Sequence, residues 1–169
     1  ILILLFFGRW EEKVEELFPR ENLEEIPLVE ARGVQFIGWD EQGRKSWILE
    51  AEQAAQFTQR IQLRKVEVTL FDKGEPVSKG SADEVVVESF TSDLYLKGNV
   101  YIISYRDGAE LKTDELKWDG LQKKLSTEGE ITIKKGGLLI KGKGLIGNPD
   151  LSQVIIKNQV TTYIKEGGI

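Results

Sequence analysis

The sequence predicts an all-β fold: an antiparallel sheet, built from repeats and bent over itself into a long sandwich or rolled taco, after a short N-terminal helix. Three observations predict it. From Val29 onward the chain is written in short runs rich in Val, Ile, Thr and aromatics, separated by turn residues. Those runs recur at steps of 31 and 29 residues. Each recurrence also carries a Gly or polar break between two apolar halves, the mark of a bulge or sharp bend.

The chain opens on ILILLFFGRW. The apolar stretch Ile1–Phe7 is too short to span a bilayer, which takes about 20 residues. Followed by Arg9 and Trp10, it reads as the exit end of a membrane anchor; the plainer reading is a buried helix end or strand. Residues 9–18 suit a short helix, with Val14, Leu17 and Phe18 on one side. Pro19 ends it. Residues 19–28, with two prolines and no apolar period, form a spacer. Boundaries of 1–18 for the anchor end and juxtamembrane helix, 19–28 for the linker and 29–169 for the β domain follow.

The β runs are VQFIGW, KSWILEA, IQLRKVEVTLF, DEVVVES, DLYLKGNVYIISY, ELKTDELKW and GEITI. Turns fall at DEQG (40–43), DKGEP (72–76), RDG (106–108), WDG (118–120), KKGG (134–137) and NPD (148–150). The repeat aligns Ala82, Thr113 and Gly142; Val100, Ile131 and Val160 each follow by 18 residues. Leu94, Leu125 and Val154 fall in the same register, and an earlier, shorter copy runs from Ala51 through Leu63 to Val66. The breaks at Gly98-Asn99, Glu128-Gly129 and Asn158-Gln159 place a bend in the middle of each unit. Equivalent repeat positions must face the same way, so Leu63, Val68, Leu96, Val100, Ile131, Ile133, Ile140 and Ile156 are expected to line one continuous trough.

Composition narrows the function. The chain has 169 residues, 30% charged and 40% hydrophobic, which is globular rather than disordered. A net charge of -5 with both signs interspersed lacks the basic face of a nucleic-acid binder. Without His or Cys, the commonest general base, metal ligand and thiol nucleophile are missing. Gly142, Gly144 and Gly147 make a G-x-G-x-x-G, but a turn and the chain end follow instead of a helix. Gly137 to Lys143 also reads G-x-x-x-x-G-K, yet Gly144 stands where Ser or Thr would hold Mg²⁺. Both patterns read as a glycine-rich strand that bends. The pairs Asp83-Glu84 and Asp114-Glu115 point to opposite faces and read as solvent-facing turn charge. Trp39, Trp47, Trp118 and Tyr105 read as packing or rim residues.

The run from Gly38 to Leu145 resembles a known family. It carries a Gly turn and a strand ending in Ala (Gly43, Trp47, Leu49, Ala51), then VEVTLFDK and an Ala-Asp repeat start (Ala82, Asp83). YLKGNVYI with Gly98, LKTDELKWD and Gly129 follow. Their order and spacing are similar to those of LptC, the lipopolysaccharide export component of the Lpt bridge. The resemblance implies an inner-membrane helix followed by a periplasmic antiparallel β-jellyroll, with no enzyme activity and no cofactor. It implies lipopolysaccharide passing from the inner-membrane LptB2FG ABC transporter (LptF/LptG) to periplasmic LptA. Lipid contact is then expected from Trp47, Leu49, Leu63, Val68, Leu96, Val100, Ile102, Trp118, Ile131, Ile133, Ile140 and Ile156. Partner contact is expected from an N-terminal edge (Val34, Phe36, Trp39), from Gly43 and Gly129, and from a C-terminal edge (Val160, Thr162, Ile164). Soluble LptA shares the repeat, and a structural or adhesive β-repeat protein with a dry, filled core would show the same strands. Whether the trough is filled and closed, or open along one side, separates the readings.

Overall fold

The computed structural model describes residues 3–5 and 26–165. Ten strands follow one another: β1 (Ile3–Leu5), β2 (Val29–Trp39), β3 (Lys45–Gln56), β4 (Arg60–Asp72), β5 (Glu75–Glu88), β6 (Leu94–Ser104), β7 (Glu110–Asp119), β8 (Lys124–Lys135), β9 (Leu138–Gly147) and β10 (Val154–Ile164). They form one antiparallel sheet in strict sequence order, so every strand from β2 to β9 pairs with its two chain neighbours. Among the described residues there is no helix, and none long and apolar enough to cross a membrane. The helix expected over 9–18 lies outside the described residues. Of the expected anchor end, Ile3–Leu5 are described; they are a short strand paired with Gln35–Ile37.

The bend sits where the repeat predicts it. Register shifts interrupt the ladders between Lys97 and Val100, Thr127 and Glu130, and Asn158 and Thr161. Left-handed backbone marks the same line: Gly98 (φ 74°) and Asn99 (φ 46°) on β6, and Lys65 (φ 50°) on β4. The Asn99 side chain donates to Oδ2 of Asp83 at 2.7 Å and ties the β6 bulge to β5.

The bend also resets the alternation of side chains. In a flat strand every second residue faces one side. Here both halves of each strand must face the interior of the fold. The inward step therefore lengthens at the bend: Ala51 to Ala54, Leu63 to Val66, Ala82 to Val85, Thr113 to Leu116, and, where a bulge adds a residue, Leu96 to Val100 and Thr127 to Ile131, all buried. The repeat anchors meet along this crease. Val34, Ala51, Val66 and Ala82 are register partners in turn, as are Val100, Thr113, Ile131 and Gly142. Small residues on alternate strands leave room for the sheet to fold sharply.

Candidate functional site

Because consecutive strands are antiparallel, the turns alternate between two long edges, or lips. The first lip carries turns 40–44, 73–74, 105–109 and 136–137; the second carries 57–59, 89–93, 120–123 and 148–153. Folding along the crease brings the lips together over the interior.

That interior is one apolar cluster running from Val34 on β2 to Leu145 on β9. Of the residues expected to face the trough, Trp47, Leu49, Leu63, Val68, Leu96, Val100, Ile102, Trp118, Ile131 and Ile133 are buried in it. Ile140 and Ile156 pack against it half-buried. Ile61, Val85, Val87, Leu94, Leu111, Leu125 and Leu145 belong to the same cluster, though the sequence reading did not single them out for lipid contact. Between β3 and β8 the interior is filled by side chains. The indole N–H of Trp118 is buried there without a protein acceptor.

At β10 the cover ends. Val160 is 55% and Ile164 73% exposed. Ile164 lies opposite Leu138, and Thr162 opposite Ile140, on the trough side of the sheet. The alternation of apolar Val160 and Ile164 with polar Thr161 and Lys165 predicts one buried face on this last strand, and the structure corrects this for its second half. Val160 and Ile164 are open, because β10 is an edge strand whose packing against the core stops at Ile156 among the described residues.

The other partner-contact residues are distributed unevenly. Val34 and Phe36 have buried side chains, so only their main chain is available at an edge, and β1 already holds part of that edge. Trp39 is half-buried. Gly43 is in the 40–44 turn, on the first lip. Gly129 is inside β8, which is paired on both sides, so it faces no edge.

The lips meet through side chains. Lys123 on the second lip reaches Oγ of Ser46 at 3.2 Å and Oδ2 of Asp40 at 3.7 Å on the first. Asp40 is almost wholly enclosed. It accepts from the backbone N–H groups of Gln42 and Arg44 at 3.0 and 2.8 Å and pairs with the Arg44 guanidinium at 2.9 Å. Burial pushes the Asp40 carboxyl up, but the Arg44 and Gln42 hydrogen bonds and the Arg44 charge together outweigh it and hold it below its ordinary value. The Trp47 indole donates across the seam to the Ser92 carbonyl at 3.2 Å. Arg106 approaches Asp150 at 3.9 Å at the other end. Within the second lip, Asp93 accepts from the Gly120 N–H and pairs with Lys117, so turns 89–93 and 120–123 behave as one piece. That hydrogen bond to Asp93 raises the Lys117 amine above its usual value. In the sequence Asp40 stands out only as the first residue of the DEQG turn, and no local pattern marks Lys123.

Among the described residues no group of three or more metal-ligating side chains converges. Gly142, Gly144 and Gly147 lie in β9, within the sheet rather than in a phosphate-cradling loop.

A comparison with protein families adds the deciding finding: the model for lipopolysaccharide-assembly, LptC-related proteins matches residues 1–165. The chain belongs to the LptC-related family. LptC-related proteins serve lipopolysaccharide transport, and the family is one of transport components, not of enzymes. The all-β sheet folded along a crease is consistent with the β-jellyroll expected of an LptC-related chain. No curated protein matches the chain.

Proposed function

We propose that this chain is the inner-membrane-anchored periplasmic component that receives lipopolysaccharide from LptB2FG, through LptF and LptG, and passes it to LptA. Residues 29–169 form the lipid-binding domain, residues 19–28 a linker, and residues 1–18 the end of the anchor with the juxtamembrane helix. The observation that carries the reading is the apolar interior running strand by strand to an uncovered end at β10, in a chain of this family. Each buried methylene is worth about 0.8 kcal/mol, so a lipid with several acyl chains cannot cross an aqueous compartment bare. Aliphatic walls shelter those chains without directional bonds and let them slide. With no credible nucleotide-binding loop, energy comes from the partner transporter.

Handover uses sheet edges. The outer edge of β10 has no strand beside it among the described residues, and such an edge accepts a partner strand by β-augmentation. LptA pairs there. At the other end, a strand of LptF or LptG adds to β2 and displaces Ile3–Leu5 from Gln35–Ile37.

The filled interior between β3 and β8 favours a second reading, a structural β-repeat with a dry core. One experiment separates them. A photo-crosslinking residue at Ile156, on the trough side, should capture lipopolysaccharide in cells, and one at outward-facing Ile155 should not. Equal capture at both, or none at either, would sink the transport reading.

A further inference from the structure

If lipid occupies this interior, the closed form described above cannot be the loaded form. We propose that the seam between turns 40–44 and 120–123 is a lateral gate for acyl chains, and that Lys123 is its latch. This rests on the transport reading given above.

Three observations carry it. The first is what does not hold the lips. Strand order is linear, and among the described residues no backbone hydrogen bond runs from one lip to the other. The lips can separate without breaking a ladder. The second is what does hold them. Lys123 touches Ser46 and Asp40 side chain to side chain, the buried Trp47 indole donates to the Ser92 carbonyl, and Arg106 approaches Asp150 at the far end; each bridge depends on at least one side chain, so it breaks when the second lip moves away. Lys123 sits at the tight end of its turn, its N–H bonded to the Asp119 carbonyl at 2.9 Å with a φ of 56°, and its amine reaches across the gap to Ser46 and Asp40. The third is what lies beside the latch. Phe90 is 83% and Leu121 74% exposed, on the two second-lip turns that Asp93 buckles together. Isolated apolar tips on a charged rim are unremarkable singly. Two of them beside the contact that closes an apolar interior form a landing for an acyl chain at the point where the lips part.

The opening motion follows from the same contacts. Lys123 leaves Asp40 and Ser46, the Trp47 indole releases Ser92, and turns 89–93 and 120–123 swing as one unit. Asp40 stays behind with Arg44 and Gln42, which already satisfy it, so no unpaired buried charge is created when the latch lets go. At 3.7 Å the Lys123–Asp40 contact is long, and Lys123, 24% exposed, can exchange it for water, which suits a contact that must break and re-form.

The chain has no cysteine, which permits a clean test on the full chain. Ser46→Cys with Lys123→Cys, bridged by a short bis-thiosulfonate, pins the seam; reduction frees it. The probe is a diphosphorylated lipid A-type glycolipid with one fluorescent acyl chain, offered in detergent micelles. Bridging should slow uptake at least tenfold, and reduction should restore it. Lys123→Met, which keeps the chain length and removes the charge, should speed uptake about threefold with an unchanged near-ultraviolet circular dichroism spectrum. Uptake indifferent to both bridging and Lys123→Met would overturn the gate while leaving lipid binding intact, since the probe would then enter by the open β10 end. No uptake by the wild-type chain would overturn the transport reading and the gate with it.

Discussion

A Cβ placed on Gly38 would lie 2.1 Å from Cε2 of Trp47. The strand therefore leaves space at that point for an indole, and an added methyl has to displace it. Gly38→Ala should push Trp47 off the Ser92 carbonyl and cost roughly 1–3 kcal/mol, as overpacking does. Urea unfolding and a red shift of tryptophan emission would check it; unchanged values would mean that Trp47 has room to move. Asp40, two residues on, makes a pH prediction. Its folded carboxyl lies below the ordinary 3.8, with Arg44 and Lys123 as the cations facing it. A group held below its unfolded value contributes fully above that value and loses its contribution as pH falls through the folded one. Stability should accordingly decline as pH is lowered past about 4, and Asp40→Asn should flatten that part of the profile while lowering stability near neutrality. Denaturant midpoints at a series of pH values would show it.

At the scale of strands, position in the sheet decides what a proline does. Thr162 is on β10, at the edge; Thr132 on β8 pairs with Lys112 on one side and Lys141 on the other. Thr132→Pro should destabilise the domain by about 2 kcal/mol or more, a ladder bond lost between two neighbours. Thr162→Pro should leave the circular dichroism spectrum intact and abolish transfer to LptA while lipid is still accepted. A Thr162→Pro chain that passes lipid onward at the normal rate would show that β10 is not the docking edge. The strands were legible in the sequence wherever apolar residues alternate, as in β4 and β6. They were less so in the first half of β5. There Glu75 and Pro76 read as turn, yet the strand starts at Glu75, with Ser78 buried and Gly80 packed beneath Ile102. Small and polar residues at inward positions carry no hydrophobic signal. The second half of β3, with Ala54 and Ala55 buried, escaped for the same reason.

Across the whole molecule, each strand contacts chiefly its chain neighbours, so the domain is a one-dimensional stack closed only where its lips meet. The glycines of the G-x-G-x-x-G pattern lie within strand β9 rather than in a loop that could cradle a phosphate. Saturation binding with ATP should therefore give no signal; saturable binding lost in Lys143→Ala would restore the loop reading of Gly137–Gly144. Under the proposed transport role the inward face would shelter acyl chains and the outer edge strand would pair with a partner, so the two functions would use different groups of the same strands.

The strands from Val29 onward, the bend in each repeat and the inward face were determined by the sequence itself. Those features rest on interactions between residues a few positions apart: alternation, turn residues and the break at Gly98-Asn99 or Glu128-Gly129. The meeting of the lips was decided only by tertiary structure. Ser46 and Lys123 are 77 residues apart, and what joins them is the angle accumulated over the bends of the intervening strands. No local pattern encodes that sum. Only the folded chain could turn two ordinary turn charges, Asp40 and Lys123, into the closure of an apolar interior, and leave Val160 and Ile164 uncovered where the stack of strands runs out.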